Sequence, residues 1–168
     1  MAGLSPAQRI KALAAIYAQV PPIDCQGLCH TSCGPIQMTR TEHLATERRG
    51  VTIPDRTVRE AGAWCEALTM FKRCAIYEAR PLLCRLWGVI EVLPCTYGCR
   101  PERYLTGAQG YELLAQAYAI DGQKAMVRLF REGAAAMREP GAEAAFREFL
   151  TGGLPADQLV DKLRGSRG

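Results

Sequence analysis

Eight cysteines, Cys25, Cys29, Cys33, Cys65, Cys74, Cys84, Cys95 and Cys99, crowd into one part of a 168-residue chain, and residues 100–168 hold none. A cysteine can hold a soft metal, act as a nucleophile or pair into a disulfide, and the pattern selects among these. An even, clustered count permits four disulfides. Against that, the chain is long for a disulfide scaffold, lacks a convincing export signal and carries an ample helical half. Inert thiols packed like small hydrophobes would be spread through the core rather than gathered on one stretch. Metal ligation is therefore the chemistry that the crowding implies, and all eight cysteines are candidate ligands.

The spacing bears on which metal. Zinc favours Cys-x-x-Cys, because two thiolates then grip one ion from a tight turn. No such pair occurs. The close spacings are Cys25-x3-Cys29-x3-Cys33 and Cys95-x3-Cys99. These wider steps suit the corners of an iron–sulfur cube, so a [4Fe–4S] cluster is the favoured cofactor and zinc the alternative. One cluster is expected, with ligands from Cys25, Cys29, Cys33, Cys74 and Cys84, and Cys65 is the first candidate for plain packing. Four thiolates around either centre leave a charge of about −2. Arg80 and Arg85, close to Cys84 in sequence, are expected to offset that charge through guanidinium–sulfur hydrogen bonds. His30 and His43 read as supporting or surface residues.

The formal charge of +4 raises nucleic acid as a partner. Arg48, Arg49, Arg56 and Arg59, however, alternate with Glu42, Glu47, Asp55 and Glu60, which makes a mixed solvated surface rather than a stripe that tracks phosphates. Each four-thiolate 2+ centre would itself subtract two charges, giving +2 with one centre and 0 with two. Nucleic acid is set aside on these grounds. No run of 18 apolar residues occurs, so no membrane span is expected.

Three zones would position the cysteines. Residues 1–22 hold an opening helix, started by the capping box Ser5-Pro6-Ala7-Gln8 and stopped by Pro21-Pro22. That helix start argues against reading the apolar stretch after Lys11 as a secretion signal, and a reducing, cytoplasmic setting follows as the expectation. Residues 23–105 form the cysteine-rich region. It has a helix begun by the second capping box Thr39-Arg40-Thr41-Glu42 and stopped near Gly50, a helix around 56–68, and a two-turn helix opened by Pro81, carrying Cys84 and ended by Gly88. Val89–Leu93 suits a short strand. Residues 106–168 read as helices packed on the same core: Tyr111, Leu114, Ala115 and Tyr118 share one face, and Met126, Leu129, Phe130, Gly133 and Met137 share the next. Phe146, Phe149 and Leu150 suit a third helix, and Leu159, Val160 and Leu163 a short fourth after Pro155. The fold class expected is mostly α, with an irregular cysteine-rich metal-binding core and flanking helices.

The run Cys74-Ala75-Ile76-Tyr77-Glu78-Ala79-Arg80-Pro81-Leu82-Leu83-Cys84-Arg85-Leu86-Trp87-Gly88, preceded by Cys65, resembles the signature of the YkgJ-like cysteine-cluster family. The cluster at Cys25, Cys29 and Cys33 and the closing pair Cys95 and Cys99 match that family in position, over about residues 23–105. The family's first cluster ends in a Cys-Cys pair and has four cysteines, where this chain has three. The resemblance implies a zinc- or iron-chelating domain of the CxxCxxCC type. A related cysteine cluster in flagellin lysine methylases keeps an enzyme in view.

Three functions then compete. The first is an iron–sulfur protein acting as carrier, sensor or structurally metallated adaptor. The second is an iron–sulfur-dependent enzyme, for instance a methyltransferase-like protein; no Gly-x-Gly-x-x-Gly or phosphate-binding loop supports it. The third is a zinc-braced interaction module, with a protein partner docking through the C-terminal helices.

Overall fold

The three helix-start signals do their work locally. In the computed structural model, helix α1 (Pro6–Tyr17) begins where Ser5 Oγ accepts the Gln8 N–H and Gln8 Oε1 accepts the Ser5 N–H. Helix α2 (Arg40–Glu47) begins with the same reciprocal pair between Thr39 and Glu42, and Gly50 follows it at φ +80°. The structure describes residues 3–34, 36–54, 64–137, 141–150, 153–155, 158–159 and 161–162. Among these residues the fold is mostly α, as expected, with three isolated β-bridges and no extended strand.

Helix α3 (Leu82–Leu86) carries Cys84; Pro81 caps it rather than occupying its first turn, and Gly88 follows at φ +83°. It is shorter than the two turns expected. Helices α4 (Gly107–Ile120) and α5 (Lys124–Ala136) pack along each other across the Asp121-Gly122 turn, and α6 (Ala142–Leu150) packs on α5. Of the short helix expected after Pro155, residues 158–159 and 161–162 are helical and Leu159 is buried; Val160 and Leu163 lie outside the described residues.

Two expectations for the cysteine region need correction. Residues 55–63 lie outside the described residues, so most of the helix placed at 56–68 cannot be compared, but 64–68 run as coil and turn. Val89–Leu93 is not a strand. It folds into buried turns, with Gly88 N–H bonded to Leu93 O and Leu93 N–H to Ile90 O, and is bonded to other segments where Leu105 N–H bonds Val89 O, Glu91 N–H bonds Leu105 O and Arg147 Nε bonds Val92 O. A five-residue run with four apolar positions, interrupted by the exposed Glu91 and paired only through an isolated bridge, is equally well buried as a turn.

One core joins these parts. Leu13 and Ile16 of α1, Leu82, Leu83 and Leu86 of α3, Val89, Ile90, Val92 and Leu93, and the inner faces of α4–α6 form a single apolar cluster. The Tyr111 and Phe146 rings meet at a tilt of 44° with centroids 4.4 Å apart. A Cβ at Gly133 would overlap the Phe146 ring, so the close approach of α5 and α6 requires glycine there. The cysteine side has only a small core of its own, Met38, Ile53, Ala67 and Ile76.

Two buried carboxylates lock the elements together. Asp121, capping α4, accepts from Arg9 on α1 (3.0 Å) and from the N–H and hydroxyl of Thr41 on α2 (both 2.7 Å). Glu42 accepts from Thr39 N–H, from the Tyr17 hydroxyl (2.9 Å) and from Leu82 N–H (2.6 Å), so α1, α2 and α3 meet on one side chain. Burial and the Glu42 carboxylate push the Tyr17 hydroxyl far above its ordinary titration range.

Candidate metal centre

The cysteines reach the site on three kinds of support. Two are glycine-turned loops. Gly27, within Cys25–Cys29, has φ +69°, and Gly98, within Cys95–Cys99, has φ +80°. In each, the left-handed residue turns backbone N–H groups back toward a sulfur. Gly27 N–H donates to Cys25 Sγ at 3.4 Å. At Cys95 the N–H groups of Tyr97, Cys99 and Gly98 and the Cys99 thiol outweigh burial and lower the thiol below its ordinary range. Pairing of Ile23 with Pro101 sets these two loops side by side, which brings Cys25 into register with Cys99.

The second support is a hairpin. Leu68 pairs with Cys74, Ala75 N–H bonds Ala67 O (2.8 Å), and the turn closes through Thr69 N–H to Arg73 O (2.8 Å), with Lys72 at φ +58°. Cys65 and Cys74 lie on this hairpin. The third is α3, anchored in the main core by Leu82, Leu83 and Leu86, with Cys84 between them. Cys33 ends the 3-10 turn Cys29–Ser32.

These segments enclose two adjoining cavities. The larger, about 340 Å³, is lined by seven of the eight cysteines, all but Cys65. The smaller, about 100 Å³, is lined by Cys29, Cys33, Cys65, Cys74 and Cys84. The charged side chains of the larger wall are Lys72, Arg73 and Arg80; no carboxylate lines it. His30, read from sequence as a supporting residue, is also in that wall.

Burial raises the thiols of Cys29, Cys65 and Cys84, with neighbouring thiols adding to the effect, so a cation must displace their protons before they can ligate. Among the described residues, no three His, Cys, Asp or Glu side chains form a ready-made ligand set for an ion. The donor set nonetheless fits a thiophilic metal. None of the eight cysteines is paired in a disulfide. Two buried donors, Arg80 Nε and Trp87 Nε1, have no acceptor among the described residues, and both residues line both cavities. An unpaired buried N–H costs about 1–3 kcal/mol, and metal-bound sulfur is an acceptor that would satisfy it.

The two arginines singled out in the sequence therefore differ. Arg80 stands in the cavity walls, its guanidinium 4.0 Å from the Tyr77 ring and offsetting a small part of the rise that burial imposes on the Cys29 thiol. Arg85 lines neither cavity. It donates to Arg80 O (2.9 Å) and Glu78 O (2.6 Å) and lies 4.2 Å from the Tyr17 ring. The glycines of the two Cys-x3-Cys loops were the signal that sequence reading passed over, and Trp87 gave none.

A family model, CxxCxxCC, whose description is "Putative zinc- or iron-chelating domain", matches residues 24–112. No curated protein and no solved structure matches the chain. The match spans just over half of the chain and takes in every cysteine, so the protein belongs to the CxxCxxCC family of zinc- or iron-chelating domains.

Proposed function

We propose that this zinc- or iron-chelating domain holds a [4Fe–4S] cluster in the larger cavity and serves as a cluster carrier or sensor in the reducing cytoplasm. The observation that carries this reading is the larger cavity itself: seven thiols and three cations around about 340 Å³. A single ion draws four sulfurs to about 2.3 Å and leaves no such space between them. A cube of iron and sulfide fills a larger one, and its −2 charge with four thiolates answers the uncompensated Lys72, Arg73 and Arg80. Backbone N–H groups turned toward Cys95 favour the thiolate form that ligation needs, and Gly27 N–H is likewise turned toward Cys25 Sγ.

Protein prepared without oxygen should be brown, contain iron and acid-labile sulfide in equal amounts, and bleach in air. Colourless protein carrying zinc would end the cluster reading and leave the chelating domain intact.

Arg80 and Arg85 should separate in function. Arg80→Gln removes a cation from the cavity wall, and we expect it to speed metal loss to a chelator several-fold. Arg85→Gln should leave metal loss unchanged while costing about 1–3 kcal/mol of stability through its lost carbonyl and ring contacts. Equal chelator rates for the two would return Arg80 to the role of an ordinary surface cation.

A partner surface is better supported on the cysteine side than on the C-terminal helices. Among the described residues, the exposed large apolar side chains include Leu28, Trp64, Met70, Phe71, Tyr77 and Tyr97, whereas α4–α6 expose none.

A further inference from the structure

We propose that the eight cysteines make two separate four-thiolate sites: Cys25, Cys29, Cys95 and Cys99 for the cluster, and Cys33, Cys65, Cys74 and Cys84 for a single thiophilic divalent ion, zinc or iron. The inference rests on the metal reading above and adds a second site to it. It also regroups the cysteines, because Cys33 leaves its neighbours in sequence and Cys65 becomes a ligand rather than a packing residue.

Two observations converge on this partition. Cys25, Cys95 and Cys99 line the larger cavity alone and Cys65 the smaller alone, while Cys29, Cys33, Cys74 and Cys84 line both. The backbone builds the sets as units. The Ile23–Pro101 pairing joins two loops of the same design, Cys-x3-Cys with a left-handed glycine, while the Leu68–Cys74 hairpin joins Cys65 to Cys74 beside α3.

Size and charge distinguish the occupants. The smaller space, about 100 Å³, is less than a third of the larger and its lining is mainly apolar side chains, with Arg80 its one charged residue. That suits an ion wrapped closely by four sulfurs and shielded from water. Two four-thiolate centres of −2 each bring the formal +4 to 0, so the chain's basic excess matches two centres rather than one. Arg80 and Trp87 line both cavities, and their unpartnered N–H groups can serve sulfur of either set.

Cobalt(II) is the probe for the ion site, because tetrathiolate cobalt gives intense visible and near-ultraviolet bands, and iron with sulfide reports the cluster. Full-length protein would be prepared anaerobically as wild type, Cys65→Ser/Cys84→Ser and Cys95→Ser/Cys99→Ser, with helical circular dichroism as the control for folding. We expect the first variant to lose the cobalt bands and keep its iron and sulfide. The second should lose iron and sulfide and keep the cobalt bands. Cys65→Ser alone, on the hairpin outside the main core, should weaken cobalt binding at least tenfold, which keeps the test decisive if the double variant misfolds. Loss of both signals in each variant would mean one shared centre, and unchanged cobalt binding in Cys65→Ser would make that residue packing only; either result overturns the partition. Wild type with two cobalt sites and no iron or sulfide would sink the cluster reading while upholding the two sets.

Discussion

Replacing Glu42 with alanine is expected to cost roughly 3–5 kcal/mol, the range for removing one partner from a buried charged network. The carboxylate is 3% exposed and is the shared acceptor for Thr39 N–H, the Tyr17 hydroxyl and Leu82 N–H. Its loss strands three donors from three helices, each worth about 1–3 kcal/mol when left unpaired and dry. One of them belongs to the first turn of α3, a five-residue helix that depends on tertiary support because so short a helix is not stable alone. Urea unfolding of the metal-free protein measures the cost directly. Glu47→Ala is the control, since Glu47 is exposed on the same helix and should change stability by no more than about 0.5 kcal/mol. Because α3 carries Cys84, the same variant should also loosen metal binding. A stability loss no greater than that of the control would mean that water replaces the carboxylate without strain.

The helical half was legible because its signals are local. Capping boxes at Ser5 and Thr39 and the apolar faces of α4 and α5 each lie within a few residues of what they determine. The same rule, applied to Thr106 and Gln109, marks the start of α4, where the reciprocal bonds do form. Val89–Leu93 was misread because a short buried apolar run has the same composition as a strand or a turn; the missing partner strand decides between them, and that is not a property of the run. The grouping of the cysteines is less legible still. Cys29 and Cys33 lie far from Cys65 and Cys84 in sequence, yet all four line the smaller cavity. Arg80 and Arg85 look alike in sequence, and only the Tyr17 ring and the Glu78 and Arg80 carbonyls separate them. Glu42 shows the limit from the other side. Its place in a capping box could be read, but its bonds to Tyr17 and Leu82 exist only once three helices meet.

Removing metal should loosen the cysteine region unevenly, and hydrogen exchange would show a boundary that cuts through residues 23–105. The segments 25–34, 65–77 and 95–100 have few backbone bonds, and 65–77 contributes Ala67 and Ile76 to a core of four buried residues completed by Met38 and Ile53. Metal–sulfur bonds would supply what apolar burial does not, so their amides should exchange ten- to a hundred-fold faster after chelation, corresponding to about 1.4–2.7 kcal/mol of lost local stability. Residues 82–93 belong to the same sequence zone but not to the same physical unit. Leu82, Leu86, Val89 and Ile90 are completely buried against α4, and their turns are bonded to Leu105 and to Arg147 of α6. Their amides, with those of α4 and α5, should keep their protection. This split has a functional consequence: Cys84 would stay in place on a rigid helix while the loops bearing Cys25, Cys29, Cys95 and Cys99 open, which suits a centre that is loaded and released without global unfolding. Exchange that rises equally in 82–93 and in the loops would show that metal supports the whole domain, and unchanged exchange in the loops would show that it supports none of it.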